Sequence, residues 1–143
     1  MRISAKAEYA CVAMLELASG SADEPRRVKD IADAHGIPPR FLVQILLQLK
    51  TAGLVASVRG ASGGYQLARK ADSITLADVI GAIDDLSPAS HVALTDSAPS
   101  PVVETLLEVW REIHTEEQRL LARPTLADLV RRIRQGGALT YQI

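Results

Sequence analysis

Along the first fifty positions apolar residues recur in steps of three and four, and then the period changes. Ala7, Cys11, Met14 and Ala18 share one helical face, which predicts a first helix over Ser4–Ser19 with Ser4 as its N-cap. Ser19-Gly20-Ser21 ends it, and a polar turn runs through Pro25. Val28–His35 reads as a short second helix with Val28, Ile31 and Ala32 on one side and Gly36 as its stop. Pro38-Pro39 opens a third helix in the first turn, where proline's missing N–H costs nothing. Phe41, Leu42, Ile45, Leu46 and Leu49 form the buried stripe of that helix, and Gly53 closes it.

From Leu54 the spacing is that of strands. Leu54–Arg59 and Tyr65–Ala68 flank Gly60-Ala61-Ser62-Gly63-Gly64, a glycine-rich hairpin tip. Thr75 then caps a helix through Ile83, with Leu76, Val79, Ile80 and Ile83 apolar. Ser87–Pro101, with four serines and three prolines, reads as a linker. Val102–Leu121 follows as a long amphipathic helix carrying Val103, Leu106, Trp110, Ile113 and Leu120 on one face and Glu104, Glu108, Glu112 and Glu116 elsewhere. A last helix spans Thr125–Arg134 and ends at Gly136-Gly137; no internal repeat is evident. The fold class is mainly α with a small two-stranded β wing. A winged helix-turn-helix occupies 1–85 (helix-turn-helix about 28–51, wing about 54–68), a linker loop 86–101, and a long helix with a C-terminal helix 102–143.

The length of 143 residues and the 48% hydrophobic fraction allow one domain with a real core and exclude wholesale disorder. One cysteine excludes a disulfide framework, a four-cysteine zinc site and an all-cysteine iron–sulfur cluster within one chain. No apolar stretch approaches the roughly 20 residues of a membrane span, and Glu8 and Glu16 spoil a signal-peptide reading, so a cytoplasmic protein is expected. The net charge of −1 argues at first against a nucleic-acid partner. Its distribution reverses that: residues 1–70 hold 10 Lys/Arg against 6 Asp/Glu, and residues 71–143 hold 6 against 11. The basic half coincides with the helix-turn-helix and the hairpin.

That coincidence gives the candidate chemistry. A major groove about 12 Å wide admits one helix. The buried stripe of the third helix leaves Pro39, Arg40, Val43, Gln44 and Leu47 on its other side, with Arg40 suited to guanine or phosphate and Gln44 to adenine. Arg59 stands at the mouth of a nearly side-chain-free loop, a geometry that enters a narrow minor groove. Arg2, Lys6, Lys29 and the amides opening the second helix are candidate phosphate contacts. Taken alone the glycines also fit a plain surface hairpin, but not a phosphate loop, since no Gly-Lys-Ser/Thr follows.

MRISAKAEYACVAMLELA, IADAHGIPPRFLVQILLQLKTAGLVASVRGASGGYQLAR and ITLADVIGAID resemble the IscR/NsrR/CymR family of bacterial transcription regulators over about residues 1–85, most specifically in the SVRG…GGY core of the wing. The resemblance implies a homodimeric winged-helix regulator, usually a repressor, whose long C-terminal helix forms the dimer interface through Val103, Leu106, Trp110, Ile113 and Leu120. It implies a double-stranded DNA partner, a palindromic operator, read by the third helix and by a wing in the minor groove. The expected DNA-contacting set is Arg59, Gly60, Ser62, Gly63, Gly64, Tyr65, Pro39, Arg40, Phe41, Gln44, Lys6 and Lys29.

Cluster-binding members of that family carry three cysteines in the loop before the dimerisation helix. Here Leu86–Pro101 has none, only His91 and Asp96, and Glu8 in the first helix has no loop thiols to complete. Iron–sulfur clusters need thiolates, so no cofactor and no metal site are expected. Cys11 falls on the buried face, an inert core thiol on one reading and a redox switch on the other. His35 and His114 show no metal-ligand or triad spacing, and no paired carboxylates mark a pocket, so an enzyme is not expected. Two alternatives stay open beside the DNA-binding repressor: a module that binds a protein co-regulator, and a small-molecule sensor using the 87–101 loop or the dimer groove.

Overall fold

The computed structural model describes residues 2–21, 24–86, 94, 96 and 98–142, with 137–142 as backbone only. Four helices and a hairpin form the first part: α1 (Ala5–Ser19), α2 (Val28–His35), α3 (Pro39–Thr51), β1 (Val55–Val58), β2 (Gly64–Leu67) and α4 (Leu76–Ile83), with a short 3₁₀ turn at Ala71–Ser73. Two helices follow, α5 (Pro101–Ala122) and α6 (Leu126–Gln142). Much of the 86–101 linker, His91 included, lies outside the described residues.

Ser4 caps α1 as its residue type predicts, its hydroxyl accepting from the Ala7 amide at 3.0 Å. The same hydroxyl donates to Asp84 Oδ1 at 2.6 Å and the Ser4 N–H donates to Oδ2 at 3.0 Å, so one carboxylate ties the start of α1 to the end of α4. Ala7, Ala10 and Ala13 are fully buried on α1, small residues that let α3 and α4 approach closely. Met14, Ile31, Leu42, Ile45, Leu46, Leu49, Ile74 and Val79 fill the core around them, and Leu126 of α6 is buried in the same cluster. Phe41, placed by its spacing in the buried stripe, is only half-buried: it sits at the stripe's edge, its ring meeting Tyr9 edge-on with centroids 5.7 Å apart.

Gly36 takes the left-handed conformation (φ 65°, ψ 30°) and its N–H donates to the Ala32 carbonyl, which turns the chain from α2 towards α3. The strands are shorter than their sequence runs: the register goes from Val55–Leu67 to Val58–Gly64, and beyond it Ala68 N–H donates to the Leu54 carbonyl while Leu54 N–H is taken by the Leu49 carbonyl. A third, one-residue strand joins them: Arg26 and Tyr65 exchange two backbone hydrogen bonds, both 2.8 Å. The polar turn expected through Pro25 is thus followed at once by sheet.

The last helix corrects the sequence reading. α6 does not stop at Gly136-Gly137 but runs to Gln142. A glycine inside a helix costs about 1 kcal/mol relative to alanine, a penalty but not a stop, and none of the positive-φ glycines lies there. A short repeat also escaped that reading. Thr-Leu-Ala-Asp occurs at 75–78 and 125–128, and both copies form capping boxes in which threonine hydroxyl and aspartate carboxylate each accept a backbone N–H at 3.0–3.1 Å. The two helix starts pair with each other, Leu76 N–H donating to Pro124 O and Leu126 N–H to Ile74 O. That bridge ties the start of α6 to the start of α4, and α6 itself packs against α1 and the 3₁₀ turn.

Candidate nucleic-acid interface

Because Leu42, Ile45, Leu46 and Leu49 point into the core, the opposite side of α3 is set outward: Pro39, Arg40, Val43, Gln44 and Leu47 are all exposed. Pro39 occupies the first turn, and no acidic residue lies there to repel a phosphate. Lys50, in the last turn, donates to Ser57 Oγ at 2.8 Å and ties the end of α3 to β1.

The wing leaves the body between β1 and β2. Arg59, Gly60, Ala61 and Ser62 are exposed at its tip, whereas Gly63 is buried. Gly63 and Gly64 serve the fold itself. A Cβ on Gly63 would fall 2.2 Å from the Val58 carbonyl oxygen, and one on Gly64 2.3 Å from the Arg26 carbonyl oxygen, with Gly64 at φ +148°. The close backbone approach that these glycines allow is therefore made within the protein. Tyr65 and Phe41 are half-buried and pack on the core, unlike exposed Arg40, Gln44 and Arg59. Lys29 is exposed in the first turn of α2, and Lys6 is half-buried on α1.

Two arginines that periodicity missed belong to this region. Arg26 carries the third strand, and the Arg27 guanidinium donates to the Ala61 carbonyl at the wing tip. Their signal was present as an Arg-Arg pair directly before α2, but a single residue of strand has no period to detect.

α5 is built differently from the rest. Among its residues only Leu121 is buried, while Leu106, Ile113 and Leu120 are 40%, 46% and 58% exposed and Val103 and Trp110 are half-buried. Ser100 caps it through the Val103 amide at 3.2 Å. An apolar stripe this long on one helix is unusual for a surface facing only water.

Cys11 lies half-buried between the core and the α1–α4 contact. Burial pushes its thiol pKa up from 9.0 to about 11, with the Glu8 and Asp84 carboxylates adding to the rise. Near neutral pH it is a thiol, not a reactive thiolate. Asp96 is exposed, and among the described residues no three His, Cys, Asp or Glu side chains come together as a metal site. One cysteine in the whole chain is a donor set that does not fit an iron–sulfur cluster.

A helix-turn-helix whose third helix shows a polar face to solvent, followed by an anchored two-stranded wing, defines a winged-helix DNA-binding protein. Residues 3–132 match the Rrf2 family, described as iron-dependent transcriptional regulators, and the chain belongs to that family. A Mycobacterium tuberculosis chain named as an HTH-type transcriptional regulator is 44% identical over 144 residues, covering all of this chain and 86% of its own. Among solved structures, CymR of B. subtilis, titled its global cysteine regulator, superposes with a TM-score of 0.80 at 34% identity over 92% of this chain and 98% of its own. IscR of T. potens superposes with a TM-score of 0.78 at 30% identity, covering 95% of this chain and 90% of its own. The chain is a DNA-binding transcription regulator and not an enzyme. No helix among the described residues is long and apolar enough to cross a membrane.

Proposed function

We propose that this chain acts in the cytoplasm as a homodimeric, sequence-specific repressor that needs no iron–sulfur cluster. The observation that carries the reading is the pairing of two exposed elements on one anchored frame. The Arg40–Gln44 face of α3 is held by its buried stripe, and the Arg59–Ser62 tip is held by the Arg26–Tyr65 strand pairing. α3 enters the major groove of a half-site, where Arg40 and Gln44 meet base edges with Pro39 and Phe41 at the helix start. Arg59, Gly60 and Ser62 enter the adjacent minor groove, with Gly63, Gly64 and Tyr65 shaping the wing behind them. Lys6 and Lys29 meet phosphates.

The exposed stripe of α5 supports the dimer. Val103, Leu106, Trp110, Ile113 and Leu120 cover one another across a two-fold axis, which sets the half-site spacing of a palindromic operator. Residues 1–85 form the reading domain, 86–101 the linker and 102–143 the dimerisation part, α6 returning to the reading domain through Leu126.

Selection of bound fragments from genomic DNA, followed by footprinting, tests the reading. A palindromic site protected in both major and minor grooves is the expected result, and the absence of any enriched sequence overturns it. Sedimentation of the purified protein tests the dimer, which a monomer at micromolar concentration would refute.

A further inference from the structure

The base of the wing and the turn into α3 meet at a carboxylate outside the DNA-contacting set. Glu16, near the end of α1, receives Arg26 on Oε1 at 2.7 Å and His35 Nε2 on Oε2 at 2.8 Å. Its side chain is 18% exposed, half as open as either partner, so the two bonds converge in a partly shielded place. Each partner stands beside an element that reads DNA. Arg26 is the residue whose backbone holds β2 through Tyr65. His35 is the last residue of α2, directly before the left-handed Gly36 that begins the turn towards α3. Hydrogen bonding from His35 is the foremost reason that the Glu16 carboxyl stays ionised below its usual range, and the charges of Arg26 and His35 add to it.

An exposed ion pair by itself is worth about 0–1 kcal/mol, so general stabilisation is a weak reason for this arrangement. Its topology is a better one. β1 and β2 can tilt as a ribbon about their base, and a two-stranded ribbon has little stiffness of its own. One carboxylate gripping both the third strand and the end of α2 removes that freedom. We propose that Glu16 is a positioning residue for DNA recognition, fixing the angle of the wing relative to α3. This rests on the reading above that both elements engage one half-site.

Electrostatics alone predicts the opposite sign. Removing a negative charge from the basic half strengthens attraction to phosphates and tightens binding to any duplex. Positioning instead predicts that Glu16→Gln binds a random duplex as well as before, or better, and binds the selected operator roughly tenfold more weakly, a difference of about 1.4 kcal/mol. The experiment measures both affinities by fluorescence anisotropy, with hydrogen exchange at the Tyr65 amide as a direct report on the wing anchor. The operator is the duplex that the unsubstituted protein selects. Faster Tyr65 exchange together with the lost operator preference supports the proposal. Equal affinity changes on both duplexes overturn it, whatever the exchange shows. His35→Ala removes one arm only, since alanine has no donor for Glu16, and covers the case in which Glu16→Gln does not fold. It is expected to lower operator preference roughly threefold, about 0.65 kcal/mol, and unchanged preference overturns the proposal. Failure of the unsubstituted protein to select any duplex overturns the repressor reading itself, and this inference with it.

Discussion

Replacing Gly64 with alanine tests whether the wing is anchored as described. A Cβ at that position would lie 2.3 Å from the Arg26 carbonyl oxygen, 2.6 Å from its carbon and 3.0 Å from the Arg27 nitrogen, all backbone atoms that cannot swing aside. The residue also sits at φ +148°, where L side chains are strained by about 1–3 kcal/mol. Relief requires Arg26 and β2 to separate, which gives up the two Arg26–Tyr65 hydrogen bonds, each worth about 0.5–1.5 kcal/mol net. Together these predict a loss of about 2–6 kcal/mol out of a total stability of roughly 5–15. Gly60→Ala is the matched control, because at φ +107° it meets the same kind of strain but nothing within 4 Å. It should lose only about 1–3 kcal/mol. Urea unfolding of both variants, with Tyr65 amide exchange as the local probe, reads the difference. If Gly64→Ala unfolds within about 0.5 kcal/mol of Gly60→Ala, the clash with Arg26 is not what glycine serves there and the anchored wing is wrong.

Four further substitutions and measurements separate roles that share one surface. Arg59→Ala should weaken operator binding most at the bases under the wing; footprints unchanged there would remove Arg59 from the groove. Lys29→Ala should weaken binding to all duplexes and lower the salt slope by about one unit, and an unaltered slope counts against a phosphate contact. Ile113→Glu, on a side chain 46% exposed in the single chain, should leave the fold intact and give monomers by sedimentation; a persistent dimer would move the interface elsewhere. Cys11, with its pKa raised from 9.0 to about 11, should react slowly with a disulfide reagent at pH 8 and faster as pH climbs towards 11. Because the folded thiol holds its proton more tightly than the unfolded one, its stabilising share is full below pH 9 and lost as pH rises through about 11. Rapid modification of the native protein at pH 7 would refute the buried thiol and reopen a redox switch.

Which parts of the structure could be read from the residues follows from the range of the forces involved. The limits of α1, α2 and α3 are written in local codes (Ser4 as cap, Gly36 as left-handed stop, Pro39 in the first turn), and each code acts within one helical turn. The outward face of α3 follows from its inward stripe with no further information. Arg26 shows the opposite case. Its pairing with Tyr65 is made across the fold, and one residue of strand has neither alternation nor length to announce it. Gly64 shares that fate: a hairpin tip explains a glycine locally, but the atom that forbids a side chain belongs to Arg26. In the sequence Glu16 only interrupts an apolar run; its partners come from two other segments, and a charge on a helix says nothing of what crosses it. Gly136 misled for the converse reason, since a local stop signal was outweighed by the continuing helix.

The charge distribution gives the positioning of wing and helix its importance. Ten of the sixteen Lys and Arg precede position 71, on and around α1–α3 and the wing, while Glu104, Glu108, Glu112 and Glu116 are all exposed along α5. A chain of net charge −1 gains little from long-range attraction to a polyanion, and the local excess on the reading domain is small enough for salt to screen. On the proposed reading, affinity for arbitrary DNA is expected to be modest, and the binding that distinguishes an operator is then expected to come from base contacts and groove shape. Such contacts tolerate little error in angle. If Arg59 enters the minor groove beside the groove that holds α3, as proposed, it gains its contact only when the hairpin beneath it points correctly. A protein short of bulk charge depends on its frame, and here that frame is the Arg26–Tyr65 strand pairing, the Arg27 hold on Ala61 and the Lys50–Ser57 bond, with Glu16 gripping Arg26 and His35 together.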